Sequence, residues 1–318
     1  MKRKLLAVMA ATVMLMSALT GCAAGGNDTI KVGVIQLAEH VALDASYQGF
    51  VDGLAEAGYV DGQNIVIDFN NAQGDQSNCT TIAQKLVNDK SDLILAIATP
   101  AAQACAAQTS DIPILITAVT DPATSGLVAS NEAPGGNVTG TSDLTPVAEQ
   151  MKLLTQLLPE AKTVGILYCS AEDNSIFQAD IAKAEAEKLG LSWVEATVSN
   201  TNEIVSVVES LVGKVDAIYS PTDNMIAEGM AAVSSVATEN GIPCIVGEEG
   251  MVSNGGLATY GLDYYNLGKQ TAAMAVSVLK GEKKPADMPI EYLTDCTLTI
   301  NDEIAKTLGI EIPADLAK

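Results

Sequence analysis

The feature that most restricts this chain is a rhythm of short aliphatic runs alternating with helical stretches, repeated in each half. In the first half the runs are Ile30 to Ile35, Ile65 to Phe69, Leu93 to Ala96 and Ile114 to Thr117, and helical patterns lie near Leu43 to Ala57, Cys79 to Asn88 and Ala101 to Gln108. In the second half, runs at Thr163 to Tyr168, Ser192 to Ala196, Ala217 to Ser220 and Pro243 to Val246 are separated by helical patterns near Asn174 to Leu189, Asn202 to Val212 and Asn224 to Asn240. Strands buried on both faces read as continuous apolar runs, and a parallel neighbour needs a crossover helix. The pattern therefore predicts an α/β chain folded into two consecutive lobes, each built on a parallel sheet. One large doubly wound sheet is the alternative that periodicity alone leaves open.

Pro146 to Leu158 reads as a helix opening the second lobe. The chain then continues through a strand at Leu257 to Tyr260, a long helix at Tyr264 to Leu279, a last strand at Thr297 to Ile300 and a short helix from near Asp302. Crossings between lobes are expected near Thr141-Ser142, Gly261-Leu262 and Pro289-Ile290. They divide the chain into an N-terminal lobe of residues 30–141 plus 262–289 and a C-terminal lobe of residues 142–261 plus 290–318. Several crossings side by side form a hinge on which two lobes can close.

The amino terminus carries a different message. Lys2, Arg3 and Lys4 precede an apolar run from Leu5 to Leu19, which is short for a membrane span and placed where a secretory signal belongs. It ends in Leu19-Thr20-Gly21-Cys22, which resembles the bacterial lipobox. That resemblance implies a signal peptide over residues 1–21, lipid on Cys22, and a tether over residues 22–29 that anchors the protein to the extracytoplasmic face of the cell membrane. Removing Lys2, Arg3 and Lys4 with the signal takes the formal charge from −22 to −25. So acidic a surface excludes nucleic acid as a partner.

Cys79, Cys105, Cys169, Cys244 and Cys296 are dispersed and odd in number. They read as small apolar fillers rather than as a disulfide framework or zinc site, with one disulfide left open. No G-x-S-x-G elbow, Walker A loop or dinucleotide loop occurs, and a single histidine excludes the common multi-histidine metal sites. The expectation is a protein that is not an enzyme and holds no cofactor and no metal.

Ligands of parallel sheets bind beyond the carboxyl ends of the strands. That rule selects Gln36 and His40 after the first strand; Thr99, Ala101 and Ala102 after the third; and Thr120 and Asp121 after the fourth. From the second lobe it selects Tyr168 and Ser170, then Thr222, Asp223 and Asn224, then Glu248 and Glu249, with Asp263 and Tyr264 at the following crossing. Thr99 is expected to cap a helix opened by Pro100, leaving the N–H groups of Ala101 and Ala102 free for an anion. Asp223, Glu248 or Glu249 suits an ammonium, with one of the two glutamates left in water. Tyr168 or Tyr264 suits an aromatic wall. Trp193 is expected to pack.

Ile35-Gln36-Leu37-Ala38-Glu39-His40, Asn71-Ala72-Gln73-Gly74-Asp75, Ala98-Thr99-Pro100-Ala101-Ala102-Gln103 and Thr117-Ala118-Val119-Thr120-Asp121-Pro122 resemble the family of ABC-transporter substrate-binding proteins that includes tryptophan- and tyrosine-binding lipoproteins. So do Pro134-Gly135-Gly136-Asn137-Val138-Thr139-Gly140, Pro221-Thr222-Asp223-Asn224, Gly247-Glu248-Glu249-Gly250 and Ala258-Thr259-Tyr260-Gly261. The resemblance implies a type I periplasmic-binding-protein fold, two Rossmann-like lobes joined by a multi-crossing hinge. It implies a small-molecule ligand, tryptophan, tyrosine or phenylalanine, and two transporter partners, a permease and an ATPase. A sensory or adhesive surface lipoprotein using the same cleft is the alternative, and a secreted α/β enzyme ranks last.

Overall fold

The computed structural model describes residues 29–317. The signal sequence and Cys22 lie outside them. The described chain builds two six-stranded sheets. In the first sheet the strand order is β11-β5-β4-β3-β1-β2, formed by β1 (Ile30–Gln36), β2 (Ile65–Asn71), β3 (Leu93–Ile97), β4 (Ile114–Val119), β5 (Val138–Ser142) and β11 (Glu291–Tyr292). In the second the order is β12-β10-β9-β8-β6-β7, formed by β6 (Thr163–Cys169), β7 (Ser192–Val198), β8 (Ala217–Ser220), β9 (Cys244–Val246), β10 (Ala258–Gly261) and β12 (Thr297–Ile300). Parallel pairing joins β1 to β3, β3 to β4, β4 to β5 and β5 to β11; in the second sheet only β12 runs antiparallel, against β10. Two sheets, not one doubly wound sheet, are present.

The helices fill the crossovers. They are α1 (Val41–Glu56), α2 (Gln76–Asn88), α3 (Thr99–Gln108), α4 (Val147–Leu157), α5 (Asp173–Lys188), α6 (Ile204–Leu211), α7 (Asn224–Glu228), α8 (Met230–Glu239), α9 (Glu249–Ser253), α10 (Tyr264–Leu279) and α11 (Asp302–Leu308). The single helix expected from Asn224 to Asn240 is two. It breaks at Gly229, where a Cβ would sit 2.2 Å from the Ile204 side chain. Strand β5 is absent from the sequence pattern because it reads Val-Thr-Gly-Thr-Ser. It is nonetheless fully buried, and its hydroxyls find partners: Thr139 donates to the Met288 carbonyl at 2.7 Å, Ser142 to the Thr120 carbonyl at 2.7 Å, and Thr141 pairs with Thr271 at 2.8 Å. A buried hydroxyl costs little once it is hydrogen-bonded.

The chain passes between sheets three times. The third passage lies later than Pro289-Ile290, because Glu291 and Tyr292 pair with Thr141 and Ser142 and so belong to the first sheet. Side-chain hydrogen bonds hold the lobes against each other. Gln76 donates to the Ala171 carbonyl at 2.7 Å, Gln103 to Asp173 at 2.7 Å and Gln178 to Thr120 at 3.2 Å, while His40 meets Asn224 at 3.2 Å. All five cysteines of the described region are free. Cys79, Cys105, Cys169 and Cys244 are buried fillers, whereas Cys296 is exposed, on the irregular segment entering β12. Trp193 is also no core residue. It lies 37% exposed on the edge strand β7, over the ammonium of Lys183 at 5.6 Å.

Candidate functional site

In both sheets the order reverses beside the first strand, so the crevice beyond the carboxyl ends is the place for a ligand. The two crevices face one another across a narrow, nearly closed cavity. Its wall is made by strand-end loops from both lobes: His40, Ala42 and Leu43 after β1, Ala118 and Thr120 at β4, Asp143 after β5, Asn174 after β6, Thr222, Asp223 and Asn224 after β8, Glu248 after β9 and Tyr264 after β10. Ala118 holds a left-handed φ of 53°, a conformation uncommon for a residue with a side chain and frequent at ligand-facing positions.

The second-lobe loops are drawn together by a close approach. A Cβ on Gly247 would lie 2.2 Å from the Thr222 nitrogen. Gln150, fully buried on α4, fastens the same loop by donating to the Gly247 carbonyl at 3.1 Å and to the Tyr260 carbonyl at 2.8 Å, and it accepts the Tyr219 hydroxyl at 2.7 Å. Glu248 is thereby held buried, its carboxylate accepting the Gly250 and Met251 N–H groups at 2.5 and 2.8 Å. Asp223 caps α7 through the Ile226 N–H at 2.8 Å and also accepts the Cys169 N–H at 2.5 Å. Asp143 accepts the hydroxyls of Tyr264 at 2.8 Å and Thr120 at 3.2 Å. Glu172, just behind the wall, accepts the amides of Asn224 at 2.5 Å and Asn174 at 3.2 Å.

Three buried carboxyl groups, Asp143, Asp223 and Glu248, thus line one cavity with a fourth, Glu172, behind them, and no lysine or arginine lines it. Burial pushes Asp143 up to about 6 and Glu248 up to about 7, and raises Glu172 and Asp223, which also repel each other. Burial lowers His40 to about 4, so its imidazole is neutral. In such surroundings each acid is favoured in its neutral form unless a cation offsets its charge.

An anion also has a place. Helix α1 begins at the cavity, and no side chain caps it. Its first helical bond is from Asp44 N–H to the His40 carbonyl, which leaves the N–H groups of the preceding turn free at the positive end of a 16-residue helix. Arginine, the usual fork for a carboxylate, is absent after Arg3.

The structure brings His40, Thr120, Thr222, Asp223, Asn224, Glu248 and Tyr264 to this cavity. The others lie elsewhere. The first turn of α3 is buried, and Ala98, not Thr99, occupies its cap position; the Ala102 N–H is spent on the Ala98 carbonyl at 3.1 Å. Thr99, Ala101 and Ala102 therefore stand outside the wall of this cavity, although the Thr99 hydroxyl is buried without a partner. Gln36 is buried, donating to Asp44 and the Ala38 carbonyl at 2.7 Å each. Asp121 organises its own turn by accepting the Thr124 N–H at 2.8 Å. Tyr168 packs in the second-lobe core with its hydroxyl on Glu195 at 2.6 Å, and Ser170 is exposed. Glu249 and Asp263 are exposed, with Asp263 capping α10 through the Asn266 N–H. Sequence reasoning missed Leu43, Asp143 and Asn174 in the wall and Glu172 and Gln178 behind it. Asp143 had a signal, since it follows the Thr141-Ser142 crossing directly. Among the described residues no three metal-ligating side chains cluster, and no helix is long and apolar enough to cross a membrane.

Residues 31–318 match a family model described as ABC transporter substrate binding protein. The chain is 44% identical to a tyrosine-binding protein of Clostridioides difficile over 97% of its own length and 93% of the relative's. It superimposes with a TM-score of 0.88 on an ABC domain in complex with L-Trp from Streptococcus pneumoniae, at 45% identity, covering 91% of this chain and 97% of that one. A ligand-free, open substrate-binding protein with adhesive properties from Clostridium difficile is 48% identical over 90% of this chain and 97% of that one, yet superimposes at only 0.69.

Proposed function

This chain belongs to the family of ABC transporter substrate binding proteins, and on that premise we propose that it captures tryptophan, tyrosine or phenylalanine between its lobes and presents it to a permease and its ATPase. The observation that carries this reading is the cavity itself: buried carboxyl groups without a basic partner beside an uncapped helix terminus. An α-amino acid brings an ammonium and a carboxylate on one carbon. Ala42 of α1 lies with Glu248 and Tyr264 along the same wall, so both charges of the ligand are met side by side. Cys22 carries the lipid that keeps the protein at the extracytoplasmic membrane face, and the protein returns its ligand unchanged rather than catalysing a reaction. Isothermal titration of the soluble chain against the common amino acids is expected to give saturable heat with aromatic ones; flat traces throughout would remove the proposal. An adhesive role is the second reading, favoured by the adhesive relative, and absence of a neighbouring permease gene would support it.

The same acids predict how pH acts on closure. Their carboxyls titrate near 4 when exposed and at about 6 to 7 in the closed cavity. They therefore favour the closed form fully below about pH 4, and this advantage disappears as pH rises through 6 to 7. His40, lowered to about 4, acts oppositely: its contribution is present above its free value of 6.5 and is lost as pH falls. Several carboxyls against one imidazole leave the acids dominant. The ligand-free protein should show a smaller radius of gyration by X-ray scattering at pH 5 than at pH 8, and saturating ligand should abolish the difference. Equal radii without ligand, or greater compaction at pH 8, would contradict the assignment.

A further inference from the structure

The cavity has an acceptor with nothing to accept. Asn174 is 3% exposed, lines the wall, and its Oδ1 has no hydrogen-bond partner. The orientation of that amide is dictated by its neighbours. Its Nδ2 donates to Glu172 at 3.2 Å, to the Ser175 hydroxyl at 3.2 Å and to the Thr222 carbonyl at 3.3 Å, the last of which can only accept. Turning the amide over would set oxygen against oxygen. Glu172 holds Asn224 the same way, at 2.5 Å, so both carbonyl oxygens are directed away from the carboxylate. The Asn224 oxygen then meets His40 Nε2 at 3.2 Å, which makes Nε2 the donor and leaves His40 Nδ1, also buried and unpartnered, as a second acceptor. The donors nearby are already used: Tyr264 and Thr120 on Asp143, and Gln178 Nε2 on Thr222 and Thr120.

We propose that Asn174, with its amide fixed by Glu172, selects aromatic amino acids whose ring carries an N–H or O–H donor, so that tryptophan and tyrosine are preferred over phenylalanine. The proposal rests on the amino-acid reading above and adds a specificity rule to it. The acids group in two pairs, Asp143 with Glu248 and Glu172 with Asp223, each close enough to repel. Glu248 lies beside the start of α1, which is the place for the ligand's ammonium and carboxylate together. Asn174 belongs to the other pair, which on this reading receives the ring. A phenylalanine ring there would bury the Asn174 oxygen against carbon, and an unsatisfied buried acceptor costs about 1–3 kcal/mol, a factor of roughly ten to a hundred. Sites built to hydrogen-bond a polar ring group reject the analogue without it for this reason.

Titration of the soluble wild-type protein with tyrosine, tryptophan and phenylalanine is the primary test and needs no mutant. Tyrosine and tryptophan are expected to bind at least tenfold more tightly than phenylalanine. Asn174→Leu should weaken both by at least tenfold, leave phenylalanine within threefold, and so erase the ratio. Glu172→Gln gives the acceptor's support a donor of its own and should shrink the ratio without abolishing phenylalanine binding, as suits a positioning residue. Equal wild-type affinities for the three amino acids would overturn the specificity rule and leave the amino-acid reading standing. An unchanged ratio in a folded Asn174→Leu protein would also overturn it. Failure of all three to bind would overturn both.

Discussion

Asp143→Asn should weaken aromatic amino-acid binding at pH 7.5 by roughly a hundredfold while leaving the ligand-free protein as stable as before or more so. Asparagine keeps the shape of the side chain and an oxygen for the Tyr264 hydroxyl, which donates to Asp143 at 2.8 Å. What it removes is a buried negative charge, with Glu248 near enough to raise its own cost of ionising. Without ligand that charge has no basic partner and burial holds its carboxyl up at about 6, so losing it relieves the closed form. With ligand, the ammonium loses a buried, charge-assisted partner, a change of about 2–5 kcal/mol for interactions of this kind. Calorimetry for affinity and thermal unfolding for stability separate these effects. Affinity within threefold of wild type, or a loss of affinity matched by a collapse in melting temperature, would remove Asp143 from the ammonium site.

Gly268→Leu should lower the melting temperature by on the order of 10 °C, corresponding to about 3 kcal/mol or more, and impair ligand binding with it. Helices α1 and α10 approach closely enough that a Cβ on Gly268 would sit 2.0 Å from the Ser46 carbonyl oxygen, and one on Gly49 would sit 2.0 Å from the Tyr265 carbonyl oxygen. Neither obstacle is a movable side chain, so a larger residue forces the helices apart. The contact is flanked by Lys269 on Glu56 at 2.7 Å and Tyr265 on Asp52 at 2.9 Å, exposed pairs too weak to hold the helices by themselves. These two helices begin at the cavity, α10 with Tyr264 and α1 with His40 as its cap residue, so separating them displaces both walls. A melting temperature within 2 °C of wild type would show that the crossing relaxes more cheaply than its backbone geometry implies.

The alternation of apolar runs and helical patterns was enough to determine two parallel-rich α/β halves. The strands at Ala217–Ser220 and Thr297–Ile300 and the helix at Tyr264–Leu279 follow directly from it. The rule that ligands sit at strand carboxyl ends was also enough to select His40, Asp223 and Glu248. Local sequence carries this information because hydrophobic period and cap residues are properties of neighbours in the chain. Tertiary structure decided the rest. Strand β5 is polar along its length and becomes a strand only because Thr139, Thr141 and Ser142 find partners on Met288, Thr271 and Thr120, far away in sequence. That α1 and not α3 starts at this cavity is set by how the lobes meet, since a proline in a first turn looks the same wherever that turn ends up. The acids show the same division. Asp143, Glu172, Asp223 and Glu248 are spread over the chain between positions 143 and 248, and no spacing reveals that they meet around one space without a lysine or arginine. That shared, unbalanced charge arises only once both lobes are folded and set against each other.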